Sequence, residues 1–130
     1  MLKNPFTLLK HSVNVLVVDD MQVFWTRVKG LLDIFGIYSV RIAESTREAL
    51  EIIKNSEKRF HACVLDRGMD DVERNEFHLL DTFGKTIPFI IMTAREEPDQ
   101  TFQCGRRGAK AFIRKATPAF NYTLISSINP

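Results

Sequence analysis

The chain has 130 residues, of which 45% are hydrophobic and 26% charged, an ordinary composition for one globular domain with its own core. A formal net charge of +2 does not by itself indicate nucleic acid as a partner. No apolar run approaches the ~20 residues of a membrane-spanning helix, and Cys63 and Cys104 lack the spacing of a zinc site or a disulfide framework. We therefore expect a cytoplasmic protein with reduced thiols.

Short apolar runs alternate with stretches of helical periodicity along the chain. Residues 1–12 form a lead-in, and we place a single domain at 13–128. Strands are predicted at 13–18, 38–42, 61–66, 88–93 and 109–114, and helices at 21–35, 45–54, 74–83, 97–106 and from Pro118 onward. Ser45 and Glu48 have the spacing of a capping box at the second helix. Thr117 as N-cap, followed by Pro118, is typical of the start of a fifth helix.

Five such strand–helix repeats predict the fold class. Continuous apolar strands indicate a parallel sheet that is covered by helices on both faces. Right-handed crossover connections then give a doubly wound α/β fold. In such a fold, ligands bind at the carboxyl ends of the strands.

Polar side chains follow four of the five predicted strands. Asp19 and Asp20 end the first strand, Asp66 the third, Thr93 the fourth and Lys115 the fifth. Because the carboxyl ends of parallel strands meet at one edge, we expect these five side chains to line a single crevice. Taken alone, the paired aspartates could instead mark a helix N-terminus, where the helix dipole favours acidic residues.

The combination of these side chains predicts phosphoryl chemistry. A cluster of carboxylate oxygens suits a hard cation, most naturally Mg²⁺. Asp66 could act as a nucleophile that forms an aspartyl phosphate. Lys115 would then neutralise charge on the phosphoryl group, and Thr93 would offer it a hydrogen bond.

The motifs VLVVDD, ACVLD, PFIIMTA and GAKAFIRK resemble the receiver domain of bacterial two-component response regulators. The resemblance covers residues 13–128 and lies in the combination of residues at successive strand ends. It implies a five-stranded flavodoxin-like (CheY-like) sheet with strand order 2-1-3-4-5.

The resemblance also implies a role for each residue of the crevice. Asp66 would be the phosphoacceptor and one of the Mg²⁺ ligands. Asp20 would bind Mg²⁺ directly, Asp19 mostly through water, and the Gly68 carbonyl would complete the protein ligands.

Further positions would act on the phosphoryl group or respond to it. Thr93 and Lys115 would contact the group, and the backbone at Arg67 and Ala94 would line its pocket. Phe112 matches the switch aromatic that lies three residues before the lysine in this family.

The implied partners are a sensor histidine kinase or a histidine phosphotransfer protein upstream, and a protein or output domain downstream. Trp25, on the flank of the first helix, either covers the core margin or contacts such a partner. No membrane contact is implied, and direct nucleic-acid binding is not expected because basic residues are not interleaved with aromatic ones. Such a domain catalyses its own phosphorylation and dephosphorylation, but its role is signalling and not that of an enzyme.

Two alternatives stay open. A degenerate pseudo-receiver would bind partners without phosphorylation; the loop after Asp66 departs from the family pattern, and Ala116 stands where the family has proline. A magnesium-dependent phosphohydrolase with an aspartyl nucleophile is disfavoured, because the DxD pattern of that class is not met: Met21 and Gln22 follow the paired aspartates.

Overall fold

Strands and helices alternate along the residues that the structure describes. The structure is a computed structural model that describes residues 13–67, 75–94, 98–115 and 117–128. The elements are β1 (Asn14–Val18), α1 (Gln22–Ile34), β2 (Ser39–Ala43), α2 (Thr46–Asn55), β3 (Ala62–Asp66), α3 (Asn75–Phe83), β4 (Phe89–Thr93), α4 (Pro98–Arg106), β5 (Ala111–Arg114) and α5 (Phe120–Ile128). These elements confirm the predicted alternation, with ends that differ by one or two residues. None of the described helices combines the length and the apolar character needed to cross a membrane.

The five strands form one parallel sheet in the order β2-β1-β3-β4-β5. This order confirms the predicted doubly wound fold. Val17 of β1 is paired with Ile42 on one side and with Val64 on the other. Such in-register pairing brings the carboxyl ends of neighbouring strands to one edge.

The core lies on both faces of the sheet, as the continuous apolar strands predicted. On one face, Val15 and Val17 pack in a buried cluster with residues of α1 and α5, among them Val28 and Leu124. On the other face, a second buried cluster contains residues of α2, α3 and α4: Ala49, Leu79, Leu80 and Cys104. Both cysteines of the chain are buried and free.

The capping residues of α2 confirm the sequence pattern with one difference. The Ser45 hydroxyl accepts a hydrogen bond from the Glu48 N–H at 3.0 Å. The Glu48 carboxylate in turn accepts one from the N–H of Glu44 at 3.1 Å, one residue before the N-cap. The first bond satisfies a backbone donor that the helix start would otherwise leave unpaired, and the second fixes the chain just before the N-cap.

The predicted start of α5 at Pro118 was wrong, since the helix begins two residues later, at Phe120. The Phe120 N–H donates to the Thr117 carbonyl at 3.1 Å, and this bond between residues three positions apart closes a turn through Pro118. An α-helical i+4 bond follows later, from the Thr123 N–H to the Ala119 carbonyl at 2.9 Å. Pro118 therefore begins a turn, and the helix begins at Phe120.

Candidate functional site

Backbone hydrogen bonds continue past the strands and fix the first polar residues at the carboxyl edge. The Asp19 N–H donates to the Ala43 carbonyl of β2 at 3.0 Å, and the Lys115 N–H donates to the Thr93 carbonyl of β4 at 2.8 Å. Asp19 and Lys115 are therefore held as if each were one further residue of its strand. Their side chains therefore extend from backbone positions that the sheet fixes, as a preorganised site requires.

Three carboxylates come together at this edge, as the sequence predicted. Asp19, Asp20 and Asp66 each have a carboxylate oxygen within 4.8 Å of those of the other two. Asp19 is 0% exposed and Asp66 3%, whereas Asp20 is exposed to solvent. The possible ligand atoms are all carboxylate oxygens, on one solvent-exposed and two buried residues. Such a set fits a hard divalent cation that keeps part of its water.

Lys115 bridges the two buried carboxylates. Its Nζ lies 3.1 Å from Asp19 Oδ2 and 3.0 Å from Asp66 Oδ1. The Lys115 side chain is only 13% exposed, so these pairs are weakly screened by water. One ammonium thus offsets part of the negative charge that three carboxylates bring to the edge.

Asp19 has two structural roles at once. Its Oδ1 accepts a hydrogen bond from the Met21 N–H at 2.9 Å, at the start of α1. The helix-terminus interpretation of Asp19 and its place in the acidic cluster are therefore compatible. Burial raises the pKa of the Asp19 carboxyl above its ordinary value of 3.8, and the nearby Asp66 acts in the same direction against the Met21 and Lys115 donors. The pKa of Asp19 is thus higher in the folded protein than in the unfolded chain. As the pH rises from the unfolded-state pKa to the folded-state pKa, this carboxyl group lowers the free energy of unfolding.

The aromatic ring of Phe24 lies against the Lys115 ammonium, a contact that the sequence did not reveal. Lys115 Nζ is 4.0 Å from the centroid of the Phe24 ring. Sequence periodicity assigned Phe24 to the apolar stripe of α1, and the residue does pack, half-buried, against the core. The available signal was its position in the first turn of α1, a few residues after the paired aspartates.

Thr93 and Phe112 line the same groove. The groove has a volume of about 520 Å³ and runs between α4 and β5; Pro98, Thr101 and Phe102 contribute to its walls. Thr93 is buried, and the ring of Phe112 is half-buried against the second core cluster. The two predicted switch residues therefore border the same space.

The remaining predicted positions are less directly connected to the cluster. The Arg67 N–H donates to the Met92 carbonyl at 2.9 Å, so a contact with a phosphoryl group would require this sheet bond to be replaced. Ala94 is exposed directly after β4. Gly68 and Ala116 lie outside the described residues. Trp25 is half-buried and packs against the core beside Phe24.

Comparison with known proteins identifies the family of this fold and site. A family model described as "Response regulator receiver domain" matches residues 15–123. The chain belongs to this family. The receiver domain of a two-component response regulator, CheY-like in its fold, thus accounts for the sheet order and for the acidic edge described above.

Named relatives and a solved structure agree with the family. This receiver domain is 33% identical over 106 residues to "Transcriptional regulatory protein ZraR" of Klebsiella oxytoca, covering 81% of the chain but 23% of ZraR. It is 32% identical over 104 residues to "Response regulator MprA" of Mycolicibacterium vanbaalenii, covering 79% of the chain and 44% of MprA. The chain therefore spans less than half the length of these relatives. A receiver domain structure from Clostridium thermocellum superposes with a TM-score of 0.77 at 25% identity, covering 90% of this chain and 91% of that one.

Proposed function

We propose that Asp66 of this receiver domain accepts a phosphoryl group from a phosphohistidine of a sensor kinase or phosphotransfer protein. The observation that carries the proposal is the three-carboxylate cluster, two members of which are bonded to Lys115. An attacking Asp66 oxygen forms the new O–P bond while the P–N bond of the phosphohistidine breaks. The electron pair of that bond stays on the imidazole nitrogen of the donor.

The donor set fits Mg²⁺ as the resident cation. Asp19, Asp20 and Asp66 would hold it, together with the carbonyl of Gly68, which lies outside the described residues. When bound, the cation supplies positive charge that offsets the negative charge of the phosphoryl oxygens. The position of Asp20 on the solvent side leaves room for water among the ligands.

The chain's own residues supply the rest of the phosphoryl site. Lys115 exchanges its bond to Asp66 for one to a phosphoryl oxygen and remains paired with Asp19. The Thr93 hydroxyl, at the carboxyl end of the neighbouring strand, donates a hydrogen bond to another phosphoryl oxygen. Both contacts stabilise charge that is absent from the unphosphorylated domain.

The same event changes a protein-binding face. A Thr93 side chain drawn towards Asp66 vacates its end of the groove, and the Phe112 ring turns into that space. A local charge change thereby biases an element with two arrangements, as in other phosphorylation switches. ZraR is named a transcriptional regulatory protein. We therefore propose that an output domain or a separate downstream protein binds this face.

A second candidate function is a pseudo-receiver that binds partners without phosphorylation. It is favoured by the pairing of Lys115 with both buried carboxylates, which offsets part of their charge without any metal. Binding of Mg²⁺ separates the two functions, because a pseudo-receiver has no need of the cation.

Trp25 offers a reporter for this test, because it is the one tryptophan of the chain and follows Phe24 in α1. Its fluorescence is measured during titration with Mg²⁺ and then with beryllofluoride, which imitates a phosphoryl group on a carboxylate. We expect a saturable response to each. Asp20→Asn weakens the Mg²⁺ step because it removes one anionic oxygen ligand, and Asp66→Asn abolishes the beryllofluoride step. If calorimetry also detects no Mg²⁺ binding to the unmodified protein, the pseudo-receiver function is correct.

A further inference from the structure

The surroundings of the Lys115 ammonium contain more than its two carboxylate partners. An ammonium has three N–H donors, and Asp19 and Asp66 accept from two directions at 3.1 and 3.0 Å. The ring of Phe24 forms a further contact, 4.0 Å from Nζ to the ring centroid. With 13% of its side chain exposed, Lys115 has little contact with water. Its orientation is therefore set by two charges and one aromatic ring.

The Phe24 ring is itself held by neighbours on the same face of the sheet. It packs edge-on against the ring of Phe120, with centroids 5.6 Å apart and planes at 75°. The Arg27 guanidinium lies 5.4 Å from the Phe120 centroid and 5.9 Å from that of Phe24. Phe120 is buried in the core. Because its supports belong to α1 and to the buried start of α5, the Phe24 ring is a preorganised surface for the lysine.

We propose that Phe24 is a positioning residue for phosphoryl transfer, acting through Lys115. The negative face of an aromatic ring attracts an ammonium, and the attraction increases when water is excluded. Phe24 thereby holds the lysine at the edge of the cluster while the lysine exchanges Asp66 for the incoming phosphoryl group. The inference rests on the proposed roles of Asp66 and Lys115 and adds to them a residue that touches neither phosphoryl group nor metal.

The kinetic test compares three proteins: the unmodified domain, Phe24→Leu and Phe24→Tyr. Leucine retains apolar volume without a ring, and tyrosine retains the ring. The rate of Asp66 phosphorylation by acetyl phosphate is measured at saturating Mg²⁺. We expect about a three- to tenfold lower rate for Phe24→Leu, a rate near that of the unmodified protein for Phe24→Tyr, and the same Mg²⁺ affinity for all three.

A double-mutant cycle asks whether Phe24 acts through the lysine. In a Lys115→Met background the ammonium is gone, so Phe24→Leu has no further effect on the residual rate if the proposal is correct. An equal loss from Phe24→Leu in both backgrounds would show that the ring contributes to packing alone, and would overturn the proposal.

A spectroscopic measurement locates the ammonium without any phosphodonor. In ¹H–¹³C spectra, a lysine εCH₂ group beside an aromatic ring is shifted by the ring current, and its absence in Lys115→Met identifies it. We expect the shift in the unmodified protein and in Phe24→Tyr, and its loss in Phe24→Leu. An unshifted Lys115 signal in the unmodified protein would overturn the proposal. If the unmodified domain and both Phe24 variants all fail to be phosphorylated, the proposed function is contradicted. The spectra would still decide whether Lys115 lies against the Phe24 ring.

Discussion

At the scale of single residues, the site is a balance of charge that depends on Lys115. Two buried carboxylates would each be costly to hold in ionised form without a cation nearby. The ammonium of Lys115 contacts both of them, and Asp20 adds its negative charge from the solvent side. The folded, metal-free domain therefore relies on the same lysine that we propose for phosphoryl binding.

Removing Lys115 should destabilise the metal-free domain. We expect Lys115→Met to lower the free energy of unfolding by about 1–3 kcal/mol, because it removes the ammonium that both Asp19 and Asp66 contact. Asp20→Asn serves as the matched control, since it removes an exposed negative charge from the same cluster and should not destabilise the protein. Urea unfolding in the absence of divalent cations measures both. Equal stability of Lys115→Met and the unmodified protein would refute this charge balance.

The sequence was informative about the charged residues and silent about Phe24 for a physical reason. Strand-end positions for Asp19, Asp66 and Lys115 follow from the parallel sheet alone, because a buried strand that ends in a charge must present it at the edge. The position of Phe24 relative to Lys115 depends on how α1 packs against α5 on this face of the sheet, which the periodicity of α1 does not define. A helical apolar stripe shows which side is buried, not which polar group lies against its first turn.

At the scale of elements, the ends of α3 and α4 are joined through two glycines. A Cβ on Gly84 would lie 2.5 Å from the Leu80 carbonyl oxygen and 2.7 Å from that of Arg107. Gly108 has a φ of +101° and lies against Gly84 in turn. The Arg107 side chain adds an ion pair with Asp81. These contacts hold the two helices together at the edge opposite the acidic cluster.

The close approach at Gly84 predicts an opposite effect for two glycine-to-alanine changes. Gly84→Ala should lower the free energy of unfolding by about 1–3 kcal/mol, because both clashing atoms belong to the backbone and cannot move aside cheaply. Gly30→Ala is the control: no atom lies within 4 Å of a Cβ on this exposed glycine of α1. Alanine is there expected to stabilise the helix by roughly 0.5–1 kcal/mol. Thermal or urea unfolding distinguishes the two, and a Gly84→Ala variant as stable as Gly30→Ala would contradict the predicted clash.

Element boundaries were predicted well where a side chain marks them. Ser45 and Glu48 located the start of α2 because their own atoms make the capping bonds. At α5 the markers were ambiguous, since Pro118 suits the first position of a helix and of a turn equally well. The hydrogen bond from the Phe120 N–H to the Thr117 carbonyl shows that Pro118 lies in a turn. The sequence does not specify such a bond.

At the scale of the whole molecule, the parallel sheet is what turns scattered residues into one site. Asp19 and Lys115 are 96 positions apart in the chain, yet their side chains are hydrogen bonded. The strand order places β3, with Asp66, at the centre of the sheet between β1 and β4. Any acceptor on β3 is thus flanked by acidic residues on one side and by Thr93 on the other. This arrangement is the physical basis of the proposed phosphoryl site.

The central claim, that Asp66 accepts a phosphoryl group, is tested most directly by intact mass after incubation with acetyl phosphate. In this reaction the Asp66 oxygen bonds to phosphorus and acetate leaves. We predict the addition of one phosphoryl group to the unmodified domain in the presence of Mg²⁺, no addition without the metal, and no addition to Asp66→Asn. Addition to Asp66→Asn at the same level, or no addition to a domain that binds both Mg²⁺ and beryllofluoride, would contradict the claim.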